Sequence, residues 1–422
     1  MFKAGFYEAD ITPPLYLNMG GYPQERLAET VLEPLYAKAA VFEQDGTKVA
    51  ILCTDTCSVA DPEIEDILAR IEVHTDIKRE NVLVCANHTH KGYPYFANNT
   101  DKTVMALREI FCCRAADSVI LANQRLTDVK VKFGEEYEDT VAKNRDYLMK
   151  DGSVITNPGR LNPNVVKSIG NIDPALPVLY FENEDGTPKG AVISYACHQD
   201  AVGLEKGYSG DYASLIAKEM KKEFGEDFVC VFLLGCCGDI NHVDVTREFI
   251  DKQYREMSEK LSPKVVSAAK NGVEMKDPTL ASIKETVYVK RSETTEELVK
   301  DKVRDYLEMG TAQLYWIRDL IAFHMREKSE GVDLVVQCIK IGDCMIYALP
   351  GEIFVDFQLE IKEKSPCDKN IFATLSNCSC GYIPTLEIFK NPYSYEAIPK
   401  NMEPEAGVKI TNKALEIAER LK

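Results

Sequence analysis

Three of the six histidines in this chain close apolar runs, and that placement is where the chemistry of the sequence begins. His88 and His90 end "VLVCANHTH", two residues apart. In an extended chain, residues i and i+2 share a face, so both imidazoles enter one volume at the end of the strand. That end is where open α/β sheets place their ligands. The plainer account is a pair of solvated or hydrogen-bonded loop histidines. His198 ends "SYACH", after the run Ala191–Ala196, and Glu352 follows Pro350-Gly351 in "YALPGEIF". A carboxylate there also suits the N-terminal end of a helix, by its dipole. Two histidines and one glutamate from separate segments match a common catalytic zinc set, in which one position stays open for water. Zinc lowers the pKa of such a water to about 7 and supplies hydroxide at neutral pH. The other histidines carry less. His74 falls at a helix end, His324 within a long helical pattern, and His242 after "GDIN" is ambiguous.

A glycine-rich word, "LLGCCGDINHVD", follows the run Phe228–Leu234. Gly235 and Gly238 permit tight backbone geometry, which would let Asp239 and Asn241 project into a site. An ordinary glycine turn, with Asp239 capping the next helix, is the alternative. Fourteen cysteines are present, but no CxxC occurs, so the signature of a structural zinc site is missing. Cys236-Cys237 lies near the candidate site and leaves a reactive thiol open.

These residues need elements to position them. Strand-like runs occur at Ala39–Phe42, Val49–Cys53, Asn81–Ala86, Val178–Phe181, Ala191–Ala196, Phe228–Leu234, Val335–Ile341 and Met345–Leu349. Asp45-Gly46 and Asp185-Gly186 sit between apolar runs and predict two β-hairpins. Helical periodicity appears at Pro62–Ile71, with Asp61 as its cap, and at Val104–Ala122, Tyr212–Phe224, Arg247–Lys270, Thr295–Lys328 and Glu405–Leu421. Asn144–Pro174 and Cys378–Pro404 read as long irregular stretches, which in compact domains are often functional. Hairpins mixed with crossover helices predict an α/β fold, a mixed layered sheet domain with flanking helices.

Composition narrows the partners. Of 422 residues, 67 are acidic and 50 basic, a net charge of −17. A nucleic-acid or anionic-membrane partner needs a basic surface, so neither is expected. No apolar stretch approaches the roughly 20 residues that span a bilayer, so no transmembrane segment is expected. The N-terminus lacks the apolar region of a signal peptide. The expected address is cytoplasmic, with the cysteines as reduced thiols packed in the core. The sequence does not speak to oligomeric state.

Taken in order, nine words resemble the neutral (non-lysosomal) ceramidase family across almost the whole chain. They are "GFYEADITPP" with "MGGY", then "PLYAKAAVFEQDGTKVAIL", "NVLVCANHTHKG", "KNRD", "SYACHQD", "YSGDYAS", "LLGCCGDIN", "ALPGEIF" and "GYIPTLEIF". The family's catalytic domain is a mixed α/β fold with one zinc ion, and it hydrolyses the amide of ceramide to a fatty acid and sphingosine. The resemblance implies one Zn2+ per chain held by His88, His198, Glu352 and Tyr382, although iron, manganese or nickel would also accept such ligands. It places His90 and Arg145 in the substrate site, with Tyr395 from a later "YE" word that stands one residue further along than in the family. Arg145 would suit stabilisation of an oxyanion. Three departures matter. The family's serine after the "GD" word is here Asn241, which cannot act as a nucleophile in the same way. Lys91 and Tyr93 replace small residues. The family's C-terminal immunoglobulin-like domain is absent, so residues 1–422 are expected to form a single catalytic domain.

The reading that follows is a zinc-dependent hydrolase. Its metal-activated water attacks an amide-like C–N bond of a small soluble substrate, with His90 as proton shuttle and Arg145, Tyr395, Asp239 and Asn241 completing the site. The alternatives are a metal-dependent enzyme acting on a carbohydrate derivative, a true ceramidase, and a non-catalytic metal- or ligand-binding protein. For the carbohydrate reading, Asn241 and the polar loop Asn144–Asn164 would hydrogen-bond substrate hydroxyls.

Overall fold

Both faces of the central strands are apolar, and the structure shows why. The computed structural model describes residues 1–22, 24–93, 102–292, 296–309, 330–390, 394–397 and 402–422. A nine-stranded sheet runs in the order Val229–Leu234, Pro188–Tyr195, Ala175–Asn183, Thr127–Tyr137, Lys3–Asp10, Tyr36–Gln44, Thr47–Thr54 and Val82–Ala86, with Val273–Glu274 added alongside Thr127–Tyr137. Along Thr47–Thr54, Ala50 and Leu52 face one core, while Val49, Ile51 and Cys53 face another. The first core is closed by the helices Asp61–His74, Lys102–Gln124, Asp211–Phe224 and Gln253–Asn271. The second is shared with a four-stranded sheet, Leu280–Lys290, Gly331–Ile341, Cys344–Ala348 and Lys369–Ala373. The outer face of that sheet packs on the helices Val355–Lys364 and Ala406–Leu421. Strands buried on both faces need continuous apolar runs, which is how they read in the sequence.

The two predicted hairpins are present. Asp45 and Gly46 have φ of 50° and 80°, the left-handed pair that a two-residue primed turn requires. The helix at residue 61 corrects one expectation: Ala60 is its cap, and the Asp61 carboxylate accepts the Ser379 N–H at 3.0 Å instead. The fourth helix begins at Gln253, not Arg247. Asn144–Pro174 is not irregular: Asp146–Met149, Val154–Thr156 and Val165–Ser168 form a small sheet of their own. The expected long helix is seen as Glu296–Met309, and its remainder, with His324, lies outside the described residues. Among the described residues, no helix is long and apolar enough to cross a membrane.

Two parallel pairs set the site. Thr47–Thr54 pairs with Val82–Ala86, and Pro188–Tyr195 with Val229–Leu234, each across a helical crossover. They lie at opposite ends of the strand order, yet the ends meet. Cys53 Sγ donates to the Phe232 carbonyl at 3.1 Å. The chain leaving Lys369–Ala373 stitches both ends: the Thr374 N–H bonds Leu234 O at 2.7 Å, and the Asn377 N–H bonds Val84 O at 2.8 Å.

Candidate metal centre

His88 follows the strand Val82–Ala86 in a left-handed conformation, φ 69°, that a residue with a Cβ rarely adopts. Such strain persists where the surroundings impose it. Here the His88 N–H bonds Thr56 O at 3.0 Å, and its Nδ1 bonds Cys57 O at 2.7 Å. His198 follows Pro188–Tyr195, and its Nδ1 bonds Ile240 O at 2.9 Å. A carbonyl can only accept, so each Nδ1 carries the proton and each Nε2 presents a lone pair. Both Nε2 atoms lie 3.2 Å from Glu352 Oε2. Glu352 is set by a parallel pairing with Tyr382, in which its N–H bonds Gly381 O at 2.9 Å. The Gly351 and Gly381 turns before them have φ of 65° and 76°.

Three acceptor atoms therefore converge, all within 4.8 Å of one another. His198 Nε2 and Glu352 Oε2 are buried with no hydrogen-bond partner among the described residues. Neutral imidazoles would face that carboxylate lone pair to lone pair, a conflict that a cation resolves, and two imidazoles with a carboxylate are ordinary zinc donors. Carbonyls orienting the far side of each imidazole are the usual support for such ligands. A second grouping, Cys57 with His88 and His90, overlaps the first at His88. It would need the His88 Nδ1 that already bonds Cys57 O, so the first grouping is the better site. Without an ion, a proton would serve in its place: burial works against charge on both groups, yet Cys57 and Glu352 raise His88 well above its ordinary value, and the imidazoles in turn hold the Glu352 carboxyl well below the usual carboxylate range. Burial, first of all, brings His198 down to about 4.

His90 stands outside this trio. Its Nε2 is 3.4 Å from His88 Nε2, and its Nδ1 is 3.8 Å from Asp200 Oδ1. Burial, then the neighbouring imidazoles, hold it well below its ordinary value and therefore neutral. Arg145 is delivered by the short pairing of Lys143–Asn144 with Ile240–Asn241. Its guanidinium lies 2.6 Å from Glu396 Oε1, donates to the Gly238 carbonyl, and sits 5.5 Å from the Tyr382 ring. Tyr382, the ligand implied by the resemblance, thus lies between Glu352 and Arg145 through its strand pairing and this contact.

The glycine word plays a different part from the one expected. Asp239 accepts the Val355 N–H at 2.9 Å and the Asn144 amide at 2.7 Å. It caps a helix, but one more than a hundred residues away, not the next. Burial pushes its carboxyl up to about 8. Asn241 donates to Asn157 Oδ1 at 3.1 Å and accepts the Val243 N–H at 2.9 Å. Cys236 and Cys237 are buried, and burial raises both thiols well above their ordinary range, which makes them unreactive packing groups. All fourteen cysteines are free. His74 lies in the last turn of its helix, as expected. The Tyr395 side chain lies outside the described residues. Two acids were missed: Glu396, which holds Arg145, and Asp200, beside His90. The only sequence signal for either was adjacency, in the words "YE" and "HQD".

Two solved structures are similar over the whole fold. One, described as "Ceramidase complexed with C2", matches with a TM-score of 0.79 at 17% identity, over 100% of this chain and 75% of that one. The other, the neutral ceramidase from Pseudomonas aeruginosa, matches at 0.77 and 17%, over 99% and 75%. The fold is that of the neutral ceramidases. No family model and no curated protein matches the sequence. At this identity the likeness is one of fold, and the layered α/β architecture expected from the sequence is the one observed.

Proposed function

We propose that the protein is a zinc-dependent hydrolase that cleaves an amide-like C–N bond in a small soluble molecule. The observation that carries this is the convergence of His88 Nε2, His198 Nε2 and Glu352 Oε2, two of them buried without a hydrogen-bond partner. The ceramidase fold supports a hydrolase. His88, His198 and Glu352 would hold the ion, with Tyr382 as the fourth ligand that the strand pairing brings alongside Glu352. Bound zinc would supply a water activated near neutral pH and would polarise a carbonyl.

The chain's own groups do the rest. His90, neutral and beside the trio, accepts a proton at Nε2 and releases it toward the leaving amine, with Asp200 facing its other nitrogen. Arg145, held by Glu396, offers fixed positive charge where an oxyanion develops. Tyr395 is the second donor in this reading. Asp239 and Asn241 brace the loop that carries the Gly238 carbonyl and the Arg145 backbone.

The cavity near His90 is mixed: Arg26, Lys91, Arg160, Asp200 and His242 line it together with Met19, Leu27, Leu204, Phe249 and Ile250, and the charged groups support a substrate with a polar end. The carbohydrate reading loses its main argument, because the Asn241 amide already bonds Asn157 and Val243. Protein purified without chelators should carry about one zinc per chain by elemental analysis, as a single catalytic site of this donor set requires. His88→Ala and His198→Ala should each lose it and abolish hydrolysis of N-acyl substrates. Folded, metal-free wild type that stays metal-free when dialysed against zinc would end the proposal.

A further inference from the structure

A cavity of about 730 Å3 has Tyr22, Arg26, Lys91 and Asp200 in its wall. Tyr22 and Arg26 connect that wall to His90. The Tyr22 ring packs edge-on against the His90 ring at 4.9 Å, and Arg26 donates to the His90 carbonyl at 2.9 Å. Among the described residues, the cavity wall carries four basic and four acidic side chains, Arg26, Lys91, Arg160 and Lys206 against Glu25, Glu29, Asp200 and Glu205, but they are not paired with one another throughout. The acids are engaged: Glu29 pairs with Lys206 at 2.8 Å, Glu205 pairs with Lys252, and Asp200 accepts the Tyr22 hydroxyl. Glu25 is exposed at the rim.

The bases deeper in the wall are engaged differently. Lys91 is 4% exposed, and its ammonium donates to the backbone carbonyl of Glu205. Arg160 donates to the carbonyls of Asp244, at 3.1 Å, and Glu248, at 3.3 Å. Among the described residues, no carboxylate lies within ion-pair distance of Lys91 or Arg160. Burying an ammonium against neutral acceptors is costly unless a counter-charge arrives. Burial, and after it the Arg26 guanidinium, pushes Lys91 down to about 8, against the opposing pull of Asp200, Asp211 and Glu205.

We infer that this cavity binds an oxyanion on the substrate, a carboxylate or a phosphate, with Lys91 and Arg160 as its partners. The inference rests on the hydrolase reading for the scissile amide, which sits at the metal centre while the charged end fills the cavity. The substrate class is then an N-acyl compound bearing a fixed negative charge. A lysine and an arginine fork suit either oxyanion.

The test uses zinc-loaded protein and three series of matched acyl length: N-acylglycines, N-acyl phosphoethanolamines and neutral N-acylethanolamines. One anionic series should exceed the neutral series by about tenfold or more in kcat/KM, the factor that one modest charge interaction supplies. Which anionic series wins identifies the oxyanion. Lys91→Met and Arg160→Gln should each cost about tenfold more on that series than on the neutral one, chiefly in KM. Lys91→Met keeps the apolar stem and removes a buried charge, so it should fold. Equal turnover of all three series, or equal losses on all three, overturns the inference. Calorimetric titration separates it from the hydrolase reading. If no series is cleaved but the anionic compounds bind, and both variants weaken that binding about tenfold, the hydrolase reading falls and the anion site stands. If neither anion binds more tightly than its neutral match, the anion site falls whatever is hydrolysed.

Discussion

Arg145 shows how much of this site depends on one ion pair that is far apart in sequence. Its guanidinium is 2.6 Å from Glu396 Oε1, and both residues are buried. Ser394 at 2.8 Å and Thr156 at 3.1 Å donate to the other Glu396 oxygen. Glu396→Gln keeps the size and an acceptor oxygen but leaves the cation without its partner. Breaking a buried pair in this way costs about 3–5 kcal/mol, against little for an exposed one. Urea denaturation should show a loss of that order, and kcat should fall with it because Arg145 loses its fixed orientation. A variant as stable and as active as wild type would mean that Arg145 is held by its carbonyl and tyrosine contacts alone. The sequence placed Arg145 in the site but could not place Glu396. A buried acid is recognisable only once its partner is known, and that partner lies more than half the chain away.

Short elements, more than long ones, set the ligand geometry. The two-residue pairing of Glu352–Ile353 with Tyr382–Ile383 depends on a turn at Gly351, φ 65°. A Cβ there would overlap the Gly381 carbonyl oxygen and Cys380 Sγ, on the strand that carries Tyr382. Gly351→Ala should therefore weaken zinc affinity by about tenfold or more, as loss of supporting geometry around a metal does. Gly46→Ala is the control: its φ is also positive, at 80°, but nothing lies within 4 Å of the added carbon. It should cost about 1 kcal/mol of stability and leave metal binding intact. Equal zinc affinity in the two variants would show that the turn does not position Glu352. At this scale the sequence was uneven. Long apolar runs and the Asp45-Gly46 turn announce themselves because burial on two faces and left-handed backbone each demand particular residues. The small sheet between Asn144 and Pro174 did not, because strands such as Val165–Ser168 are short and largely exposed and carry no apolar alternation. Likewise, the Asp239 carboxylate caps the helix at Val355, a contact that no local pattern encodes.

Across the whole molecule, buried acids govern the response to pH. Asp146, by burial and then the charge of Glu396, is raised to about 7. Asp211, chiefly by burial, is also near 7, and Asp239 near 8. Unfolded aspartate titrates near 3.9, so the folded state binds the extra protons and stability falls as pH rises toward these values. His198 and His242, lowered to about 4 by burial, act in the opposite sense, but only up to the unfolded histidine value near 6.5. Lys91 and Lys284, lowered to about 8 chiefly by burial, also act in that opposite sense, but only as pH nears 8. Between about pH 6.5 and 7.5 the carboxyls therefore dominate, so denaturation midpoints should decline over that window and decline less in Asp146→Asn. A midpoint that rises from pH 6.5 to 7.5 would contradict the burial of these groups as acids. The convergence of His88, His198 and Glu352 has one more consequence, for the order of events during synthesis. The three side chains come from the two sides of one sheet and from a separate two-residue pairing, and more than half the chain separates the first from the last. A ribosome must release nearly the entire polypeptide before the ion has anywhere to go. Under the proposed zinc-dependent reading, metal capture would then be a late step that follows assembly, and a cell short of zinc would accumulate folded, empty protein instead of unfolded chain.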